Sequence, residues 1–174
     1  MRRFLLSWLA ALLNASVLTF VRGTFDPAFA AFVILVTLFV VVEGTLVDEV
    51  PRGARNLVGL ASATGLAMLM TFVVAITSRG GTMYGALVML GGIVLRCSAI
   101  YTLGDRFVSE LRADGPLIKR GVYRWLDHPS EIGLLTLTLG VCVLFGSLPA
   151  LVIWLAAIAP LTIARMRIDR KSVV

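Results

Sequence analysis

Apolar residues run along this chain in blocks of roughly twenty, separated by short polar connections. Phe4 to Val21, Ala28 to Val47, Leu57 to Thr77 and Met83 to Leu103 are four such blocks, each long enough as a helix to cross the ~30 Å of hydrocarbon in a bilayer. A last apolar block, Ile132 to Ala164, is too long for one span and is interrupted by Gly146-Ser147-Leu148-Pro149, which predicts two helices in a tight hairpin. Each half of that hairpin has only about 14 to 16 residues, so it must tilt or stop short of the far face. The predicted fold class is all-α, a polytopic membrane helix bundle of about five to six transmembrane helices in a single domain. Within it, residues 1–103 form a four-span bundle, and residues 104–174 carry the chemistry.

The pattern changes once, near Gly104. Asp105 to Ala113 reads as a short amphipathic helix, with Phe107, Val108 and Leu111 for the membrane and Asp105, Arg106, Glu110 and Arg112 for water. Asp114-Gly115-Pro116 then turns the chain. After it, Val122, Tyr123 and Trp125 alternate with Lys119, Arg120 and Arg124, a mixture suited to the headgroup layer. At the junction Asp127-His128-Pro129-Ser130-Glu131, Pro129 suits the first position of a helix. His128 is then the cap, and Glu131, at the third position, can reach back to the free amides. The positive end of that helix dipole, beside a histidine, a tyrosine and several arginines, offers donors to an anionic group.

Composition fixes the surroundings. With 174 residues, 59% hydrophobic and only 15% charged, and a mean hydropathy of +0.95, the chain has too little polar surface to cover a soluble globule. Met1-Arg-Arg before an apolar stretch resembles a cleavable leader, but the stretch is longer than a leader core and more spans follow, so it is expected to be retained. Of the 16 Lys and Arg residues, all but Arg22, Arg79 and the intramembrane Arg96 fall on one side if the N-terminus is cytoplasmic. The expected location is therefore the inner membrane of a bacterium, with the N-terminus and the polar segment in the cytoplasm. The net charge of +6 reflects topology and anionic lipid headgroups, and nucleic acid is not an expected partner, because no basic run is interleaved with exposed aromatics.

Cys97 and Cys142 lie inside apolar spans and are expected to pack as small hydrophobes. One histidine and two separated cysteines lack the spacing of a metal site, so no metal is expected. Gly80-Gly81 and Gly91-Gly92 sit in or beside helix with no preceding strand, which predicts close helix packing and excludes a phosphate-binding loop. Glu43 is expected to be solvated near the end of its span. Arg96 either snorkels to the same interface or faces the interior.

The run Gly121-Val-Tyr123-Arg-Trp-Leu-Asp-His128-Pro129-Ser-Glu-Ile-Gly133, preceded by Leu103-Gly104 and followed by a short apolar hairpin, resembles the signature region of the isoprenylcysteine carboxyl methyltransferase and phospholipid methyltransferase superfamily. The resemblance covers roughly residues 85 to 170. It implies an integral membrane enzyme that takes S-adenosyl-L-methionine from the cytosol and a lipophilic small-molecule or prenylated acceptor from the bilayer. Carried over by position, Gly121, Tyr123, His128, Pro129 and Gly133 match a Gly-x-Tyr-x-x-x-Arg-His-Pro-x-x-x-Gly motif that lines the cofactor pocket. Arg167 matches the arginine of an Arg-x-x-x-Glu-Glu pattern on the last helix. On this reading Glu131 and Arg167 are the catalytic candidates, and Arg124 and Arg165 are candidates for binding the substrate.

The chain departs from the pattern at three places. Asp127 stands where the superfamily usually has arginine, Glu131 where tyrosine is frequent, and Lys171-Ser172 where the acidic pair is expected, with Asp169 as the nearby carboxylate. The last departure leaves open either a chain that has been cut or altered, or a relative with a weakened or lost site. Three functions are therefore expected in turn: a methyltransferase on a lipid-like acceptor, a catalytically silent relative with a scaffolding role, and a nicotinamide-dependent membrane reductase.

Overall fold

The computed structural model describes residues 27–46, 55–78, 80–103 and 120–172. The blocks of apolar sequence become helices α1 (Pro27–Leu46), α2 (Arg55–Ile76), α3 (Tyr84–Leu103) and α4 (Pro129–Phe145). Helix α5 (Leu148–Ile153) passes through one π turn (Trp154–Ile158) into α6 (Ala159–Ser172), and the residues on both sides of that turn keep right-handed helical dihedrals. There is no strand among the described residues. The expected first span, Phe4 to Val21, and the expected amphipathic helix, Asp105 to Ala113, lie outside the described residues.

The break in the last apolar block is narrower than expected. Gly146 closes α4 in the left-handed region (φ 60°), with its N–H on the carbonyls of Cys142 and Val143, a conformation that side chains disfavour. Ser147 caps the next helix by accepting from the Ala150 amide at 3.3 Å. Leu148 and Pro149 are already helical, because proline costs nothing in a first turn whose amides have no partner. The following helix is consequently longer than the 14 to 16 residues expected. Leu148–Arg167 and Tyr84–Leu103 are each 20 residues long and apolar enough to cross a membrane, while Pro27–Glu43, Ser62–Ile76 and Pro129–Phe145 are shorter apolar helices.

The most extensive contact joins α3 to α4, so the packing unit straddles the change of pattern near Gly104. The two helices run antiparallel and meet through glycines. A Cβ on Gly92 would lie 2.6 Å from the Gly133 carbonyl oxygen, and one on Gly140 would lie 2.9 Å from that of Gly85. Without a hydrophobic drive between helices in lipid, such backbone approach is a main source of association. Of the two glycine pairs singled out in the sequence, a Cβ on Gly81 or Gly92 would strike α4, whereas one on Gly80 or Gly91 would meet nothing within 4 Å, although the Gly80 backbone itself lies against Gly146.

Helix α1 lies against α3 and α4, and α2 against α4, α5 and the π turn. Phe32 meets Phe145 and Phe72 edge-on, with ring centroids 5.4 and 5.6 Å apart, in a core that includes Phe29, Ala75, Ile76, Met89, Leu144 and the Cys142 thiol. Buried Thr64 and Thr71 return their hydroxyls to the carbonyls of Leu60 and Ala67, each at 2.8 Å, so neither leaves a lone polar group in an apolar setting. Leu66, Leu69 and Val73 of α2, Leu87 and Val94 of α3, and Val152 and Leu155 in the last helix point outward. This is the surface that acyl chains would cover.

Candidate functional site

Opposite the aromatic core, the ends of α1, α3 and α6 and the beginning of α4 carry charged side chains into the bundle. Arg96, on α3, keeps only 10% of its side chain exposed. Its Nε donates to Glu43 Oε2 of α1 at 3.1 Å, and its Nη2 donates to Glu43 Oε1. The third nitrogen, Nη1, donates to Ser130 Oγ at 2.9 Å and to the Ser130 carbonyl at 3.3 Å, and Phe39 lies beneath the guanidinium, 5.9 Å away. One buried fork thus ties two helices to the first turn of a third. Glu43, at 29% side-chain exposure, is paired and not merely solvated as expected. Arg96 faces the interior and does not snorkel.

The start of α4 follows the sequence in outline. His128 is the cap residue, Pro129 takes the first position, and the His128 carbonyl accepts from the Ile132 amide at 3.1 Å. The His128 side chain makes no capping hydrogen bond. Glu131 does not fold back on the free amides: its Oε1 lies 3.0 Å from Arg165 Nη2 of α6. Nearby guanidiniums outcompete amides for a half-buried carboxylate. Glu131 Oε2 and the hydroxyl of the fully buried Thr162, one turn before Arg165, have no hydrogen-bond partner among the described residues.

Ahead of α4, Gly121–Arg124 form a short 3₁₀ turn packed on the end of α3. Gly121 opens it at φ 57°, and a Cβ there would lie 2.8 Å from Thr102 Oγ1. Arg120 Nη2 reaches the Thr102 carbonyl at 3.4 Å. Tyr123 is half-buried, whereas Arg124 and Trp125 are exposed, with the guanidinium 5.4 Å from the indole. Asp127 is exposed and His128 half-buried.

The structure therefore gathers Glu131 and Arg165 directly. His128 and Pro129 sit in the turn before Glu131, and Gly121 and Tyr123 sit on the adjoining 3₁₀ turn. Gly133 faces α3, where a Cβ would lie 2.8 Å from the Arg96 amide nitrogen, so it lets the helices close. Arg167 is exposed and, about 200° from Arg165 around the helix, does not share its direction. The side chains of Asp169, Lys171 and Ser172 lie outside the described residues. Sequence reasoning missed the partnership of Arg96 with Glu43 and Ser130. The available signal was a pair of opposite charges, each costly alone in an apolar span.

Helices without strands among the described residues, outward apolar faces and one buried ionic seam define a helical membrane protein. The family model for isoprenylcysteine carboxyl methyltransferases matches residues 85–173, half of the chain, and the chain belongs to that family. It is also similar to the protein-S-isoprenylcysteine O-methyltransferase of Saccharomyces cerevisiae, 27% identical over 110 residues that make up 61% of this chain and 46% of the yeast protein. The chain thus spans about half the length of that curated relative. No solved structure matches it.

Proposed function

We propose that this chain is an S-adenosylmethionine-dependent methyltransferase that acts on a lipophilic acceptor, an isoprenylcysteine-type carboxylate or a lipid amine, at the cytoplasmic face of a bacterial inner membrane. The observation that carries the reading is the contact between Glu131 and Arg165. It joins the first turn of α4, which follows the Gly121-to-Pro129 run, to the last helix, the two parts expected to share a cofactor. The family match spans both.

The unsatisfied acceptors fit such a cofactor. A buried carboxylate oxygen and a buried hydroxyl, Glu131 Oε2 and Thr162 Oγ1, lack partners among the described residues, and the cofactor's ammonium, amino and hydroxyl groups are donors of the kind they would accept. Gly121, Tyr123, His128, Pro129 and Gly133 shape the surround, with Gly133 acting through the close approach of α3. When bound, S-adenosylmethionine supplies a methyl group made electrophilic by the sulfonium. The protein's own task is alignment and exclusion of water. Arg165 and Arg124 orient an acceptor carboxylate, with Arg167 outside on the headgroup side. For an amine acceptor, Glu131 or His128 takes the proton. Arg120, Arg124, Arg165 and Arg167 favour a cytoplasmic placement of this end. In this reading α4 and the helix that follows form a membrane hairpin in a bundle of five to six spans.

Titration calorimetry of the detergent-purified protein with S-adenosylhomocysteine tests the proposal. Saturable binding that disappears in His128→Ala supports it, and binding of NADPH alone overturns it in favour of a reductase. The Lys171-Ser172 replacement of the acidic pair favours a silent relative as the second reading. Binding without methyl transfer, in an assay with labelled cofactor and a panel of prenyl-cysteine and aminophospholipid acceptors, would select it.

A further inference from the structure

Glu131 is paired with one guanidinium and follows directly the residue that holds another. Arg165 Nη2 is 3.0 Å from its Oε1. Arg96 is fastened to the preceding residue through Ser130 Oγ and the Ser130 carbonyl, at 2.9 and 3.3 Å. Left to themselves, two cations would divide one carboxylate.

Glu43 alters that count. It takes Arg96 Nε at 3.1 Å and Nη2 as well, so two of the three guanidinium nitrogens are committed to α1 and the third to Ser130. The charges then alternate from α1 through α3 and α4 to α6, as carboxylate, guanidinium, carboxylate, guanidinium, and sum to zero. In a setting where an unbalanced buried charge is costly, that order holds each ion to its own partner.

We infer that Glu43 is a positioning residue: by occupying the Arg96 fork it keeps Glu131 paired with Arg165 and leaves the second Glu131 oxygen open on the seam between α4 and α6. Glu43 lies outside the stretch, residues 85–173, that the family model matches. The contribution therefore comes from the part of the chain that the family comparison does not cover. The binding consequence rests on the proposed cofactor reading, whereas the pairing itself does not.

A plain structural ion pair would also bind α1 to α3, and thermal unfolding in detergent separates the two roles. Glu131→Gln and Arg165→Gln are combined in a double-mutant cycle, first in the native chain and then in Glu43→Gln and Glu43→Gln/Arg96→Gln backgrounds. The non-additive part of the Tm shift is expected in the native chain, lost in Glu43→Gln, and restored when the competing guanidinium is also removed. A cycle unchanged by Glu43→Gln overturns the inference, and so does failure of the double background to restore it. If Glu43→Gln does not fold, Arg96→Gln alone must retain the coupling, and its loss there is equally fatal. In parallel, S-adenosylhomocysteine binding is expected to weaken about tenfold in Glu43→Gln and recover in Glu43→Gln/Arg96→Gln, the scale of one charged hydrogen bond. Absence of binding by the unsubstituted protein counts against the proposed function and leaves the unfolding cycle to decide the role of Glu43.

Discussion

The two ends of this bundle solve opposite problems. At one, Phe29, Phe32, Phe145, Met89 and Leu144 are almost wholly buried, and rings meet edge-on. At the other, hydrogen bonds join Glu43, Arg96 and Ser130 and an ion pair joins Glu131 to Arg165, so that four helices take part. Lipid is as apolar as a phenylalanine core, so the aromatic end gains from dispersion and fit and little from escape from water. The charged end gains nothing from the membrane and is tolerated only because each ion has a partner. Ring packing is thus concentrated in one half and ion pairing in the other, and the α3–α4 glycine contacts keep them in register.

The sharpest way to break this division is at the ring cluster. Phe145→Ala should cost about 3 kcal/mol through the cavity it leaves, read as a lower Tm in detergent, while the fraction that stays folded binds S-adenosylhomocysteine as before. Weakened binding in that fraction would show that the two halves are coupled. Glu131→Gln should do the reverse, weakening that binding at least tenfold, about 1.4 kcal/mol, with a smaller change in Tm than Phe145→Ala. A large fall in Tm with intact binding would assign Glu131 to scaffolding. The mildest effect is expected midway, at Trp154→Phe. It removes the 2.9 Å hydrogen bond from the indole N–H to Thr138 Oγ1 but leaves Thr138 bonded to the Leu134 carbonyl. A loss of about 0.6 kcal/mol in the same unfolding assay, the usual size for such bonds inside a membrane bundle, would place that contact in neither half.

Much of the helical frame was legible from runs of apolar residues. Helices α2 and α3 fall close to the blocks Leu57 to Thr77 and Met83 to Leu103, and His128-Pro129 marked the start of α4 because proline at a first helical position has a local cause. Partners distant along the chain were not legible. Arg96 and Glu43 are 53 residues apart, and whether they meet depends on the rotation of α1 and α3, which the nearly uniform apolarity of both helices does not encode. The partner of Glu131 was hidden for a related reason: a carboxylate at the third helical position has a local use in capping, and Arg165 reaches it only from α6. Within the Gly91-Gly92 pair, Gly92 could not be told from Gly91 without knowing which side of α3 faces α4.

The π turn at Trp154–Ile158 also sets direction. One surplus residue in a helix advances everything beyond it by about 100° around the axis. The azimuth of Thr162 and Arg165 is therefore decided several residues upstream, in a stretch that carries no charge at all. A regular α-helix through the same residues would aim that arginine elsewhere and take it from Glu131. A widened turn of backbone in an apolar stretch thus acts as the angular offset that brings the last helix to Glu131.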